Sequence, residues 1–288
     1  MKTIITDQDQ MQTISRTDSQ GKNIPSDQTL GDRSDFPTRV KPFGSRFAAH
    51  MLLLLSRLFG LASLLLFALF LFLGSLSLVN LGLGEKERIA LDVCLCLAFF
   101  IQHSVMIRRS YRQWLTRFVR SEFHIATYSI ASGVVLLILV VFWQESAITL
   151  AAPQGISRWL LHTTYFLSIA GFFWGVRALG FFDPLGVNPI QRYLRGKEQR
   201  SMPFVVRGPY RWVRHPLHLS LISIIWSCPN ITLDRFLFNI LWTAWIIVGT
   251  VLEERDHIAS FGDAYLNYKK EVPMLIPYRI RPFHIVGG

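Results

Sequence analysis

Cysteine is scarce in this chain of 288 residues. Cys94, Cys96 and Cys228 each lie inside an apolar stretch, where a thiol behaves as a small hydrophobe. No disulfide framework follows from three such residues, and with no further Cys or His beside the Cys94/Cys96 pair, neither does a thiolate metal clip. Acidic residues are the second shortage: 19 Asp and Glu against 30 Lys and Arg leave a formal charge of +11. Such a balance can mark nucleic-acid binding, but here the excess sits in loops between apolar blocks, as the positive-inside rule requires of a membrane protein, so no nucleic-acid partner is expected. Residues 1–45 hold few aromatics, Phe36 and Phe43, and balance six basic residues with six aspartates. They cannot bury enough apolar surface to offset ordering entropy and are expected to be a disordered polar tail. A short apolar core of the signal-peptide kind is also missing, since the first apolar run starts at Phe47 and is far too long.

What the chain has in abundance is long apolar runs. They cover Phe47–Val79, Ile89–Ile107, Phe123–Trp143, Trp159–Gly180, Leu217–Cys228 and Ile231–Leu252. The fold expected is all-α, an integral membrane protein with about six transmembrane helices. The fifth run is too short to cross alone, and "SCPNIT" after it carries a Pro-Asn turn signal, so runs five and six form a C-terminal helical hairpin. Arg108, Arg109, Arg112, Arg117 and Arg120 follow run two, Arg192 to Arg214 follow run four, and Arg255, Lys269, Lys270, Arg279 and Arg281 follow run six. The intervening loops are charge-balanced, Arg235 beside Asp234 among them, which places both termini and the basic loops in the cytoplasm. After run six, Ile258, Phe261, Tyr265 and Tyr268 recur at helical spacing, which predicts an amphipathic cytoplasmic helix. The membrane domain is expected over 46–280, with a site region at about 200–280 and a short tail at 281–288.

"GPYRWVRHPLHLS", Gly208 to Ser220, gathers two arginines, two prolines and two histidines at the start of run five. Pro216 suits the first turn of a helix, where no donor is needed, and the unsatisfied N–H groups there welcome a carboxylate. Run six closes on Glu253–Glu254, carboxylates that oppose the dipole of a helix ending there and so call for a cationic partner. Together with Arg214 the two segments suit an amino-acid-like zwitterion, and Tyr210, Trp212, Tyr265 and Tyr268 could stack on a purine or face a sulfonium. A metal at His215 and His218 is not expected, because no third ligand follows at short spacing. His103, in "FFIQHS", is a polar residue inside an apolar span and so a substrate-site candidate. Asp183 in "FFDPLG" reads as a turn cap, and His124 and His257 as interfacial residues.

"GPYRWVRHP", followed about forty residues on by "LEERDHIASFGDAYLNYKKEVPMLIP", resembles the cofactor region of the isoprenylcysteine carboxyl methyltransferase-like superfamily, membrane enzymes that use S-adenosylmethionine. "FFIQHSVMIRRSYRQWL", "FFDPLG" and "FVVRGPYRWVRHPLHLS" resemble the branch that contains methanethiol S-methyltransferase and the NnrU-type membrane proteins. The resemblance spans about residues 50–280. It implies S-adenosylmethionine held by Phe204, Val205, Tyr210, His215, Pro216, Leu217, His218 and Glu253. His218 stands where the family usually has Tyr, and Ser220 where it commonly has Gly. The carboxyl methyltransferases place an Arg before the acidic pair, whereas residues 239–252 hold no Arg or Lys, which weakens a prenylcysteine acceptor. Phe181–Phe182 replaces a His-Phe step of the methanethiol branch, so Phe182 joins His103 as a substrate candidate. The expected reaction is methyl transfer to a thiol, most simply a small one such as methanethiol or one associated with lipid. His218, Arg214 and Glu254 are the catalytic candidates, and membrane lipid is the surrounding medium. No obligate protein partner is implied. The alternatives are a carboxyl methyltransferase of prenylcysteine-like or lipid acceptors, a sterol-reductase-like enzyme using NADPH, and a non-enzymatic NnrU-like protein.

Overall fold

Apolar runs of this length can satisfy their backbone in lipid only as helices or closed barrels, and these runs become helices. The structure, a computed structural model, describes residues 46–198, 204, 206–278 and 282–283. The expected tail at 1–45, most of that at 281–288, and Val205 lie outside the described residues. The elements are α1 (Arg46–Leu73), α2 (Glu85–Ile107), α3 (Arg109–Leu115), α4 (His124–Phe142), α5 (Ile156–Leu179), α6 (Val187–Leu194), α7 (Pro216–Trp226), α8 (Leu233–Phe261) and α9 (Asp263–Glu271). Strands β1 (Thr149–Ala151) and β2 (Ile231–Thr232) pair antiparallel. The protein is an all-α integral membrane protein: α1, α2, α4 with the turn before it, and α8 are each long and apolar enough to cross a bilayer. The 24-residue α5 has the length but is more polar, with His162, Thr163 and Thr164 in its run. At 11 residues, α7 rises only about 16 Å. It stops short of the far side, as its sequence predicts, and the chain through Ser227–Thr232 completes the hairpin by pairing β2 with β1.

Small residues set the close approaches. At Gly133 of α4 a Cβ would lie 2.9 Å from the Phe59 carbonyl of α1, and at Gly175 of α5 one would lie 2.7 Å from Leu217. Lipid gives helices no hydrophobic reason to associate, so such close backbone contact is what joins them. The second contact fixes the start of α7, and hence the site, against α5. An aromatic cluster fills the centre, with Trp242 of α8 packed 4.9 Å from Phe67, 5.1 Å from Phe99 and 5.0 Å from Phe238.

The end of the bundle away from the basic loops is fastened by buried charge. Asp234 accepts hydrogen bonds from Trp143 Nε1 at 2.8 Å and from the Ser146 amide at 2.9 Å, while Asp92 accepts the Gln144 amide at 3.0 Å. Arg235, counted from sequence as a loop charge, is only 1% exposed. Its guanidinium donates to the carbonyls of Phe70, Leu71 and Ile225 at 3.0 to 3.2 Å, caps the ends of α1 and α7, and lies over the rings of Phe70 and Phe238. The sequence reading is corrected there: helix ends leave carbonyls that need donors, and a cation at a C-terminus also meets the dipole.

Arg235→Met leaves three buried carbonyls without their donor and is expected to cost about 3 kcal/mol, read as a lower thermal midpoint in detergent. An unchanged midpoint would mean that the carbonyls find other donors.

Candidate functional site

The apolar run of α8 from Leu233 to Leu252 is about 30 Å long, which matches the hydrocarbon thickness. Glu253 is therefore the first residue at the water boundary. The helix does not end there, however, but continues to Phe261. The expectation that the acidic pair terminates a helix is corrected, and the pair needs cations because Glu254 is buried, not because of a dipole end. After a break at Gly262 the chain turns into α9, whose Tyr265 and Tyr268 pack with Val272, Phe204, Val206 and Phe261. The single amphipathic helix expected over Ile258 to Tyr268 is thus divided between the end of α8 and α9, and α9 docks on the loop before α7.

That loop is built for one geometry. Gly208 has φ +52, and a Cβ there would lie 2.9 Å from Ala178. Pro216 is the first residue of α7 and keeps His215 out of the helical conformation, at φ −124 and ψ 65. The amides of Arg214 and His215 donate to the carbonyls of Pro273 and Met274 at 2.9 and 3.1 Å, and the Tyr268 hydroxyl donates to the Tyr210 carbonyl at 2.6 Å. The segment after α9 is thus fastened to the loop by its backbone.

Inside this frame lies a buried ion pair. Arg214 Nε donates to Glu254 Oε1 at 2.6 Å, and the same guanidinium reaches the carbonyls of Lys269 and Val272. Glu254 is 4% exposed, and its other oxygen meets Lys269 Nζ at 2.8 Å. Beside the pair, His215 Nδ1 lies 3.6 Å from Glu253 Oε2, and His215 Nε2 lies 3.4 Å from Glu254 Oε1. His218 Nε2 is 3.8 Å from the same Glu253 oxygen, and the two imidazoles stack at 5.3 Å with planes 3° apart. His257 Nε2 approaches the other Glu253 oxygen at 3.3 Å. Burial lowers the His215 ring to about 4, so it is neutral at ordinary pH, and burial raises the Tyr210 hydroxyl. The open side of this corner consists of Glu253, whose side chain is 45% exposed, and His218 at 30%.

The candidates divide. His215, His218, Glu253, Glu254 and Arg214 come together, and Tyr210 and Pro216 frame them. Leu217 packs against Gly175 of α5. Phe204 stacks its ring among Phe261, Tyr265 and Tyr268, and the two tyrosines, expected as stacking surfaces for a purine, bury their rings in that cluster. Trp212 leans on Trp174 at 6.0 Å. His103 sits elsewhere, between α2, α4 and α8, within hydrogen-bond reach of the Tyr128 hydroxyl and 5.0 Å from Trp245. Along α8 that level is about 7.5 Å from Thr250. Phe182 is 41% exposed in the loop after α5. Asp183 caps α6 through the amides of Val187 and Asn188, as its sequence predicts. His124 is buried and bonded to the Val119 carbonyl instead of lying at an interface. Sequence reasoning missed Thr250 and read His257 only as interfacial; they lie one turn to either side of Glu253 on α8. Glu253, on a different helix from the two histidines, brings one oxygen to within 4.8 Å of a ring nitrogen of both His215 and His218.

Comparison with known proteins adds a second line. A methanethiol S-methyltransferase of Mycobacterium tuberculosis is 33% identical over 193 residues, which is 67% of this chain and 79% of that protein. Methanethiol S-methyltransferase 1 of Bradyrhizobium diazoefficiens is 34% identical over 199 residues, 68% of this chain and 69% of that protein. Nurim of Rattus norvegicus is 22% identical over 189 residues, 58% of this chain and 67% of that protein. No family model matches the chain, and no solved structure matches it.

Arg214→Ala strands Glu254 as a buried charge and is expected to cost about 3–5 kcal/mol, with α9 becoming open to trypsin at Lys269 and Lys270. Lys269→Ala, at a half-exposed position, is expected to cost less than about 1 kcal/mol. Equal losses in the two variants would show that the Arg214 contact is not the fastening of α9.

Proposed function

The chain belongs to the methanethiol S-methyltransferase family, and from that premise we propose that it moves a methyl group from S-adenosylmethionine to a small thiol at the His215, His218 and Glu253 corner, on the cytoplasmic side of the membrane. The observation that carries the reading is the meeting of the α7 start with the far part of α8, where His215 comes within 3.6 Å of Glu253 and 3.4 Å of Glu254. The donor set fits such a cofactor. Glu253 presents a half-exposed carboxylate to an ammonium or a ribose hydroxyl, the first turn of α7 has amides without intrahelical acceptors for a carboxylate, and His215 Nε2 is buried without a hydrogen bond. Bound there, S-adenosylmethionine supplies a methyl group on a sulfonium.

The remaining chemistry belongs to the residues of the chain. Methyl transfer is an in-line displacement, for which the chief contribution of a protein is alignment. Pro216 and the hydrogen bonds to Pro273 and Met274 fix the His215 backbone, and Tyr210, Phe204 and Leu217 flank the cofactor. Arg214 and Glu254 satisfy each other's charge and act by holding the His215 loop in place. His218, the more open ring, takes the thiol proton, since the thiolate is the reactive form. His103 and Phe182 border the approach of the acceptor. The lack of Arg or Lys over 239–252 favours a small uncharged acceptor over a carboxylate-bearing one.

In detergent, the protein is expected to bind S-adenosylhomocysteine and to release dimethyl sulfide into the headspace when given methanethiol and S-adenosylmethionine. Glu253→Ala and His215→Ala are each expected to weaken homocysteine-analogue binding by ~10-fold or more in calorimetry. Unchanged affinity in both variants, or tight binding of NADPH instead, would overturn the assignment.

A further inference from the structure

Thr250 lies one turn before Glu253 on α8 and is fully buried, at 0% exposure. Its Oγ1 is 2.7 Å from the Ile246 carbonyl and 2.9 Å from His218 Nδ1. A hydroxyl has one hydrogen to donate and lone pairs with which to accept. The carbonyl can only accept, so the Thr250 hydrogen goes to Ile246, a bond common for Thr within helices. His218 Nδ1 must then carry a hydrogen and donate it to Thr250. In a neutral imidazole this leaves the lone pair on Nε2.

The surroundings of Nε2 agree. Its nearest charged atom is Glu253 Oε2 at 3.8 Å, beyond hydrogen-bond distance, whereas an N–H aimed at a carboxylate would be drawn closer. Glu253 is also engaged on its other oxygen by His257. His215, stacked on His218, faces a carboxylate with each of its nitrogens and is 6% exposed. Of the two rings, only His218 has a nitrogen available toward the open side.

We infer that Thr250 is a positioning residue that fixes the tautomer of His218, so that Nε2 accepts the proton of the acceptor thiol. The inference rests on the thiol-transfer reading above. As the thiol S–H bond breaks, its hydrogen moves to Nε2, and the sulfur lone pair forms a bond to the methyl carbon while the bond from that carbon to the sulfonium breaks. The products are a thioether, S-adenosylhomocysteine and an imidazolium. Its charge is met by Glu253, with its Nδ1–H still on Thr250.

Two measurements on the full-length protein test this. The first compares an alkanethiol, which arrives protonated, with thiophenol, which is largely ionised at neutral pH. Thr250→Val keeps the shape and removes the hydroxyl. It is expected to lower kcat for the alkanethiol by ~100-fold while leaving kcat for thiophenol and the affinity for S-adenosylhomocysteine unchanged. Thr250→Ser is expected to restore alkanethiol turnover. Equal losses on both thiols, or none on either, would overturn the inference. The second is the nitrogen-15 spectrum of histidine-labelled protein, with His218 assigned through His218→Gln. The wild type should show a protonated Nδ1 and a bare Nε2, a pattern lost in Thr250→Val, and the opposite tautomer in the wild type overturns the inference. A wild-type protein that methylates neither thiol overturns the thiol reading and the acceptor role of Nε2 together, and the wild-type turnover alone tells that failure apart from a failure at Thr250.

Discussion

The site depends on one buried ion pair. Arg214 and Glu254 are 9% and 4% exposed, come from segments forty residues apart, and lie at the water boundary of a lipid-soluble bundle. Two charges taken out of water repay their desolvation only when geometry and additional hydrogen bonds are good. Here Lys269 and two carbonyls complete the set. The arrangement stabilises little beyond what a well-packed apolar pair could, but it admits a single register between the loop before α7, the end of α8 and α9. Glu253, the next residue on α8, inherits its direction from that register, and so does His215.

Much of this was legible in the sequence. Unbroken apolar runs announced the spanning helices, because lipid leaves a backbone few choices. Pro216 announced the first turn of α7, because only there is its missing N–H harmless. The spacing of Ile258, Phe261, Tyr265 and Tyr268 announced helical structure there but not the break at Gly262, which leaves the first two on α8 and the tyrosines on α9. What stayed hidden depended on partners distant in the chain. Arg235 looked like a loop charge beside Asp234, and only the ends of α1 and α7, folded to meet it, make it a buried cap. Tyr265 and Tyr268 looked like exposed stacking surfaces until Phe204 covered them. The Glu253 oxygen near His215 and His218 comes from a different helix, so no local spacing could announce it. Thr250 carried no signal of its own, since a Thr in a membrane helix commonly bonds only to its own backbone.

The two ends of the bundle solve opposite problems with the same means. Away from the basic loops, Arg235, Asp234 and Asp92 close off stranded carbonyls and amides inside the bundle, with Asp92 Oδ2 and Arg235 Nε buried without a hydrogen bond. At the basic end, Arg214 and Glu254 are closed off in the same manner, but Glu253 and His218 are left open beside them. The contrast separates a polar cluster that only holds the fold from one that can also receive a ligand.

Between the two ends runs α8, one uninterrupted rod carrying the Arg235 cap near its start and the twin carboxylates some 27 Å further along. A rod of fixed length cannot follow the lipid around it. A thinner bilayer would lift Glu253 into the aqueous phase or tilt the rod, and a thicker one would draw the carboxylate toward the acyl chains. The lipid composition of the host membrane thereby becomes a determinant of catalytic competence.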